Sequence, residues 1–252
     1  MNDTLLNIQS LCKAFDGIKA LDEFSCSVGR GDVVGLIGPN GAGKTTLFNV
    51  LTGFLPDDSG VATFHGRTLL RKPPHAIARL GLARTFQNLR LIRRLTVLEN
   101  VLLCFKGQPG EHLTNVFFRG RASAKRETEN REAARSLLAD VGLSEKADDL
   151  ADNLSYGQQK LLSLACCLAG EAELLLLDEP VAGIAPEMAE RILSIVQGLP
   201  AAGKTVVLIE HDLDAVSRIC NRVIFMDAGT KVCEGTPQEV RSDPGVIEAY
   251  ID

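Results

Sequence analysis

Three polar clusters in the sequence have the residue types and spacings that chemistry on a phosphate requires. The first is Gly38-Pro39-Asn40-Gly41-Ala42-Gly43-Lys44-Thr45-Thr46, which fits the pattern G-x-x-x-x-G-K-S/T. In such a loop the backbone N–H groups turn inward on phosphate oxygens, and the positive end of the following helix dipole adds to the attraction. Lys44 would reach the β- and γ-phosphates of a nucleotide, and Thr45 would ligate Mg2+. The second cluster is Asp178-Glu179, directly after the run Leu174 to Leu177. Asp178 can hold Mg2+ through its water shell, and Glu179 is placed to take a proton from an attacking water. The third is His211, after Val206 to Ile209 and Glu210, where an imidazole could touch a γ-phosphate or that water. Each has a plainer alternative: two acids can simply open a loop, and a lone histidine can be structural. The phosphate loop upstream tips both toward chemistry.

The pattern alone does not identify the loop, because the chain matches it twice. Gly198-Leu199-Pro200-Ala201-Ala202-Gly203-Lys204-Thr205 also fits. The flanking elements separate the two. Val33 to Ile37 is an apolar run ahead of the first loop, and Leu47, Val50 and Leu51 follow at helical spacing, so the order is strand, loop, helix. The second copy has a helical stretch before it and the apolar Val206 to Ile209 after it. There Gly203 reads as a helix stop and Lys204-Thr205 as a turn into a strand, with no helix N-terminus to hold a phosphate.

The elements that must position these clusters follow from periodicity. Alternation predicts strands from Leu5 to Leu11 and from Leu21 to Val28, with a turn at Phe15-Asp16-Gly17. A turn at Pro56 to Gly60 precedes a short strand, Val61 to Phe64. A short helix is predicted from Pro73 to Gly81, and Ala83 to Gln87 reads as a strand ending in a polar loop. Thr96-Val97-Leu98-Glu99 is a capping box that opens a helix through Leu103. Gly107 to Gly120 has no clear period and reads as loop. Ser123 to Val141 reads as a charged helix with Ala133, Leu137, Leu138 and Val141 on one side. Ser155 precedes the apolar run Leu161 to Leu168 and can cap that helix; such an N-terminus binds an anion or is capped and nothing more. Pro186 opens a helix to about Leu199, Asp212 to Arg218 is helical, Asp227 to Thr230 is a hairpin turn, and Pro244 to Asp252 is a short helix.

Buried strands alternating with helices imply an α/β fold: a mostly parallel sheet with helices on both faces and ligands at the carboxyl ends of the strands. The chain reads as one domain. Residues 1–89 and 166–252 make the core and an antiparallel β subdomain, and 90–165 a helical subdomain.

Composition sets outer bounds. With 252 residues, 45% of them hydrophobic, a substantial core is possible. A net charge of -5 argues against an electrostatically driven nucleic-acid binder. There is no basic-then-apolar leader and no apolar run near the length of a membrane span, so the chain is expected to be soluble, though able to dock on a membrane protein. The seven cysteines are scattered without a C-x-x-C pair and read as reduced thiols of a cytosolic protein.

The motifs in order resemble those of the ATP-binding subunits of ABC transporters, over essentially the whole chain. They are the phosphate loop, Thr85-Phe86-Gln87-Asn88, Leu154-Ser155-Tyr156-Gly157-Gln158, Leu174 to Glu179, and His211. The resemblance implies a P-loop NTPase fold and the cofactors ATP and Mg2+. It implies that Phe15 stacks on the adenine and that Gln87 senses Mg2+ or water and couples to the membrane subunit. It also makes Asp178 a metal carboxylate, Glu179 the catalytic base and His211 the switch histidine. Two such subunits close head to tail in that family, so Ser155 and Gly157 would serve a partner's ATP. The implied partners are two transmembrane permease subunits, a second ATP-binding subunit and, indirectly, a solute-binding protein. The implied place is the cytoplasmic face of the plasma membrane. Two residues depart from the pattern: Tyr156 stands where a glycine is usual, and Ala182-Gly183-Ile184-Ala185-Pro186 lacks the usual acid. Gly81 to Asn88, Tyr156, that Ala-Gly-Ile-Ala-Pro stretch and the Val246 to Tyr250 tail are similar to the LivG-type subunits of branched-chain amino-acid importers, which usually have Asn where Ala185 stands. Importers for urea, amides or other amino acids share many of these motifs. A non-transport ABC ATPase and a non-hydrolysing regulatory subunit are the alternatives.

Overall fold

The computed structural model describes residues 4–106 and 120–251. The predicted loop from Gly107 lies outside them up to Gly120, as does Asp252 at the end of the last predicted helix.

Two sheets organise the described chain. Strands β1 (Thr4–Phe15), β2 (Ile18–Gly29), β4 (Ser59–Phe64) and β5 (Arg67–Thr68) form an antiparallel sheet in the order β2-β1-β4-β5. Strands β3 (Val33–Ile37), β6 (Leu82–Arg84), β7 (Leu174–Asp178), β8 (Thr205–Ile209), β9 (Arg222–Asp227) and β10 (Thr230–Gly235) form the second, in the order β10-β9-β3-β8-β7-β6. All pairings in it are parallel except β10 with β9. Three hairpins turn on residue pairs with both φ positive: Asp16-Gly17, His65-Gly66 and Ala228-Gly229. Such turns match the right-handed twist of the strands they join.

The parallel strands are short, apolar and buried throughout: β3, β7 and β8 have no exposed residue. Leu174 to Leu177 are each fully buried, about 1.5–3 kcal/mol of transfer free energy per side chain. Alternate residues serve different cores. Ile37, Leu175, Leu177, Val206, Leu208 and Phe225 pack with helices α5 (Tyr156–Ala169), α6 (Pro186–Gly198) and α7 (Leu213–Ile219). Leu36, Leu174, Leu176, Ile209, Ile224 and Met226 pack with helix α1 (Lys44–Leu51), helix α2 (Pro74–Leu80) and the inner face of the antiparallel sheet. Helices on both faces were expected. On the second face α1 and α2 share the cover with Leu6, Ile8, Phe24 and Val28 of β1 and β2, because that sheet has an apolar face of its own to bury.

The remaining α-helices among the described residues are α3 (Val97–Leu102), α4 (Gly120–Asp140), α8 (Pro237–Arg241) and α9 (Pro244–Ile251). The capping box of α3 is complete: Glu99 N donates to Thr96 Oγ1 at 3.1 Å and Thr96 N to Glu99 Oε2 at 2.8 Å. The buried stripe of α4 and the turn after it is Ala134, Leu138 and Val141. Ala133, expected on that side, is exposed, since spacings of four and three from Ala134 track 3.6 residues per turn better. Among the described residues no helix is long and apolar enough to cross a membrane.

Candidate active site

The first phosphate loop joins β3 to α1, and its glycines are required by its neighbours. Gly38 has φ +146, and a Cβ there would stand 1.9 Å from the carbonyl oxygen of Met226 on β9. Gly43 has φ +101, and its Cβ would meet the carbonyl oxygen of Ala20 on β2 at 2.2 Å. Two strands therefore press on the loop and fix its curvature. Lys44 is buried and donates from Nζ to the carbonyls of Gly38 at 2.7 Å and Pro39 at 2.8 Å. Burial pushes its pKa down, while the charges of Glu179 and Asp178 pull it back up. Thr45, beside it in the first turn of α1, is exposed. The decoy is as the flanking elements imply: Gly198 ends α6, Gly203 has φ +74, and Thr205 opens β8 while its Oγ1 accepts from Gly31 N at 2.9 Å.

Parallel pairing brings the ends of β7 and β8 beside that loop. Asp178 closes β7, and its backbone N–H donates to Thr85 Oγ1 at 3.0 Å. Glu179 follows with φ +49, a left-handed conformation that costs a non-glycine residue about 1–3 kcal/mol. The backbone pays for this through fixed anchors. Glu179 N donates to Ile209 O at 3.0 Å, and Lys160 Nζ, from α5, donates at 2.6 Å to the carbonyls of both Glu179 and Ala182. The buried Glu210 accepts from Val181 N at 3.0 Å and from His211 N at 3.3 Å. Burial pushes Lys160 down and Glu210 up in pKa, and each charge partly offsets the other's shift.

This framework brings together Glu179, Gln87 and His211. Gln87 Nε2 donates to Glu179 Oε2 at 3.1 Å, and His211 Nε2 lies 3.0 Å from Glu179 Oε1. The Glu179 side chain is one-fifth exposed and that of His211 two-fifths, so water can reach the carboxylate. A carboxylate at a strand end, flanked by an amide and an imidazole and beside a phosphate loop, can orient and deprotonate a water.

Phe15 and the Ser155 region stand apart from this cluster. Phe15 sits at the tip of the β1–β2 hairpin, paired with Ile18 and 42% exposed, with Lys13 Nζ 5.4 Å from its ring centre. Ser155 caps α5: its Oγ accepts from Gln158 N at 3.4 Å, and its N donates to Gln158 Oε1 at 2.9 Å. Gly157 is buried, and a Cβ there would crowd Met188 at 3.2 Å. Tyr156 between them is 47% exposed. These hydrogen bonds are internal to the start of α5 and leave that N-terminus on the surface.

Arg84, Lys160 and Glu210 belong to this site and were not singled out from the sequence. Lys160 and Glu210 carried a weak signal, a cation opening the apolar run of α5 and an acid between a buried strand and His211. Arg84 carried none beyond lying three residues before Gln87.

The ABC transporter family matches residues 21–182, and the family described as branched-chain amino acid ATP-binding cassette transporter matches residues 230–251. The high-affinity branched-chain amino acid transport ATP-binding protein LivG of Salmonella typhimurium is 38% identical over 252 residues, covering 100% of this chain and 99% of that protein. A nucleotide-free ATP-binding cassette from an ABC transporter superposes with a TM-score of 0.85 at 38% identity, covering 99% of each chain. The ADP conformation of an ATP-binding cassette gives 0.84 at 37% identity, covering 98% of each. With its phosphate loop, its strand-end carboxylates and this full-length likeness, the chain belongs to the ABC transporter family and is one of its ATP-binding, ATP-hydrolysing subunits.

Proposed function

We propose that this subunit powers the import of branched-chain amino acids. The observation that carries the ATPase chemistry is Glu179 held between Gln87 and His211 at the mouth of the phosphate loop. The solute is supported by the full-length likeness to LivG and the match at residues 230–251.

In this reading the N–H groups of the loop from Gly38 to Thr46, Asn40, Gly41, Ala42 and Gly43 among them, cradle the phosphates. Lys44 gives up its two loop carbonyls to bind the β- and γ-phosphate oxygens. Phe15 stacks on the adenine. The donor set fits Mg2+: an exposed threonine hydroxyl (Thr45), a buried strand-end carboxylate (Asp178) and the Gln87 amide oxygen are hard oxygens, and Mg2+ commonly takes one or two carboxylates plus substrate phosphates. Bound there, the ion neutralises charge on the β- and γ-phosphate oxygens. Glu179 accepts the proton of the attacking water. His211 orients that water or the γ-phosphate.

The exposed start of α5 supports a head-to-tail arrangement with a second ATP-binding subunit, in which Ser155 and Gly157 close over the partner's nucleotide. A cleft of about 510 Å3 between α2, the segment after β6, α3 and α5 supports a permease contact. Its walls include Ile77, Leu82, Phe86 and Leu91, and it adjoins Gln87 through Phe86. Two permeases, a solute-binding protein acting through them, and a peripheral place on the cytoplasmic face of the membrane complete the assembly.

The test is reconstitution of the chain with its permeases, second ATPase subunit and binding protein in vesicles. Leucine, isoleucine or valine on the binding protein is expected to raise ATP hydrolysis several-fold and drive solute uptake. Stimulation by urea or amides alone would reassign the solute, and no stimulation by any solute would overturn the importer role.

A further inference from the structure

Arg84 is tied to three elements at once. Its side chain and that of Asp178 are 4% and 2% exposed. Nη2 donates to Asp178 Oδ2 at 2.7 Å, while Nη1 donates to Asn49 Oδ1 at 2.7 Å and to Thr52 Oγ1 at 3.3 Å. Asn49 lies on α1, the helix that Lys44 and Thr45 open, and Thr52 ends it. The guanidinium carbon is 5.4 Å from the ring centre of Phe48 and 4.9 Å from that of Phe86, the residue before Gln87. Arg90 stacks on the same Phe86 ring at 3.8 Å.

A buried ion pair of this kind is a poor stabiliser, because desolvating both charges costs about what their attraction returns. Here the cost is raised further by Arg84 Nε, which is buried with no hydrogen-bond partner among the described residues. Orientation accounts for the arrangement better. The pair engages one carboxylate oxygen; among the described residues Asp178 Oδ1 accepts no hydrogen bond.

We propose that Arg84 is a positioning residue for the metal: braced on α1 and Phe86, it holds Asp178 Oδ2 so that Oδ1 faces the water shell of Mg2+. It also joins that orientation to the segment carrying Gln87. The proposal rests on the reading of Asp178 as the metal carboxylate. A lysine would supply the charge but not the fork that spans Asp178 and Asn49 together.

The experiment titrates Mn2+, as a paramagnetic stand-in, against the full-length protein with ATP, reading bound ion by electron paramagnetic resonance. ATP affinity in chelator and thermal stability are measured alongside. Arg84→Gln is expected to weaken nucleotide-dependent Mn2+ binding about tenfold, the low end for loss of a partner that orients a metal ligand. Arg84→Lys is expected to recover only part of that, with metal-free ATP affinity within about twofold throughout. Asn49→Ala keeps the ion pair and removes one brace, and is expected to weaken Mn2+ binding measurably but less than Arg84→Gln does. Unchanged Mn2+ binding in a folded Arg84→Gln protein overturns the proposal. Tighter binding also overturns it, since Arg84 would then only compete for the carboxylate. If the Arg84 variants do not fold, Asn49→Ala decides alone, and unchanged binding there overturns the proposal. Asp178→Asn separates the two layers. Wild-type Mn2+ binding in that variant removes the metal reading of Asp178 and this proposal with it, whereas weakening in Asp178→Asn but not Arg84→Gln removes the proposal alone.

Discussion

Replacing Glu179 with glutamine is expected to lower ATP turnover in the assembled transporter by about 10²–10⁴-fold, the range for loss of a general base. The substitution keeps the shape of the side chain and one acceptor oxygen, so a contact to His211 or Gln87 survives. It also keeps the φ of +49, because both residues carry the same Cβ branching and the anchors on that backbone are Lys160 and Ile209. What it removes is the capacity to take a proton. Phosphate release should therefore collapse while ATP binding, measured by retention of labelled nucleotide, stays within a few-fold of wild type. Turnover near the wild-type rate would mean that another group deprotonates the water.

The second large effect is on binding. Lys44→Ala is expected to weaken ATP affinity about 10–100-fold, since a hydrogen bond to a charged group contributes about 1.5–3 kcal/mol and tenfold is about 1.4 kcal/mol. Stability should change little. The variant loses two hydrogen bonds, to Gly38 O and Pro39 O, but it also removes a charge whose burial is unfavourable. Titration of a fluorescent ATP analogue and a thermal melt separate the two quantities. A melt lowered by many degrees with affinity retained would make Lys44 a brace for its own loop.

Much of the site was legible because it sits at strand ends, where local pattern is strong. Leu174 to Leu177 before Asp178, and Val206 to Ile209 before Glu210 and His211, read as buried strands, and their alternation with helices implies parallel pairing, which puts their carboxyl ends on one edge. Context also chose between two identical patterns, since only one is followed by a helix. What was not legible is non-local. Arg84 and Asp178 are 94 positions apart, and nothing in either neighbourhood announces the pair. The alternation in β1 and β2 showed that one face is buried but not that it lies on α1 and β3 instead of on further helices. The strands also run past their predicted ends, to Phe15 and from Ile18, since pairing continues where the apolar alternation stops. Helix α8 was missed because it has five residues, although Thr236 and Glu239 form its capping box.

The proposed role of Ser155 and Gly157 is on a partner's nucleotide, so the sharpest test is of the assembly. It is a structure of the Glu179→Gln transporter with Mg2+ and ATP, determined in a lipid environment. The triphosphate is expected to lie on Lys44 and the loop from Gly38 to Thr46, with the partner's helix N-terminus closing over its γ-phosphate. This chain's Ser155 and Gly157 are expected to close over the partner's nucleotide in the same way. A closed transporter in which Ser155 faces solvent, or touches the nucleotide of its own chain, would contradict the shared site.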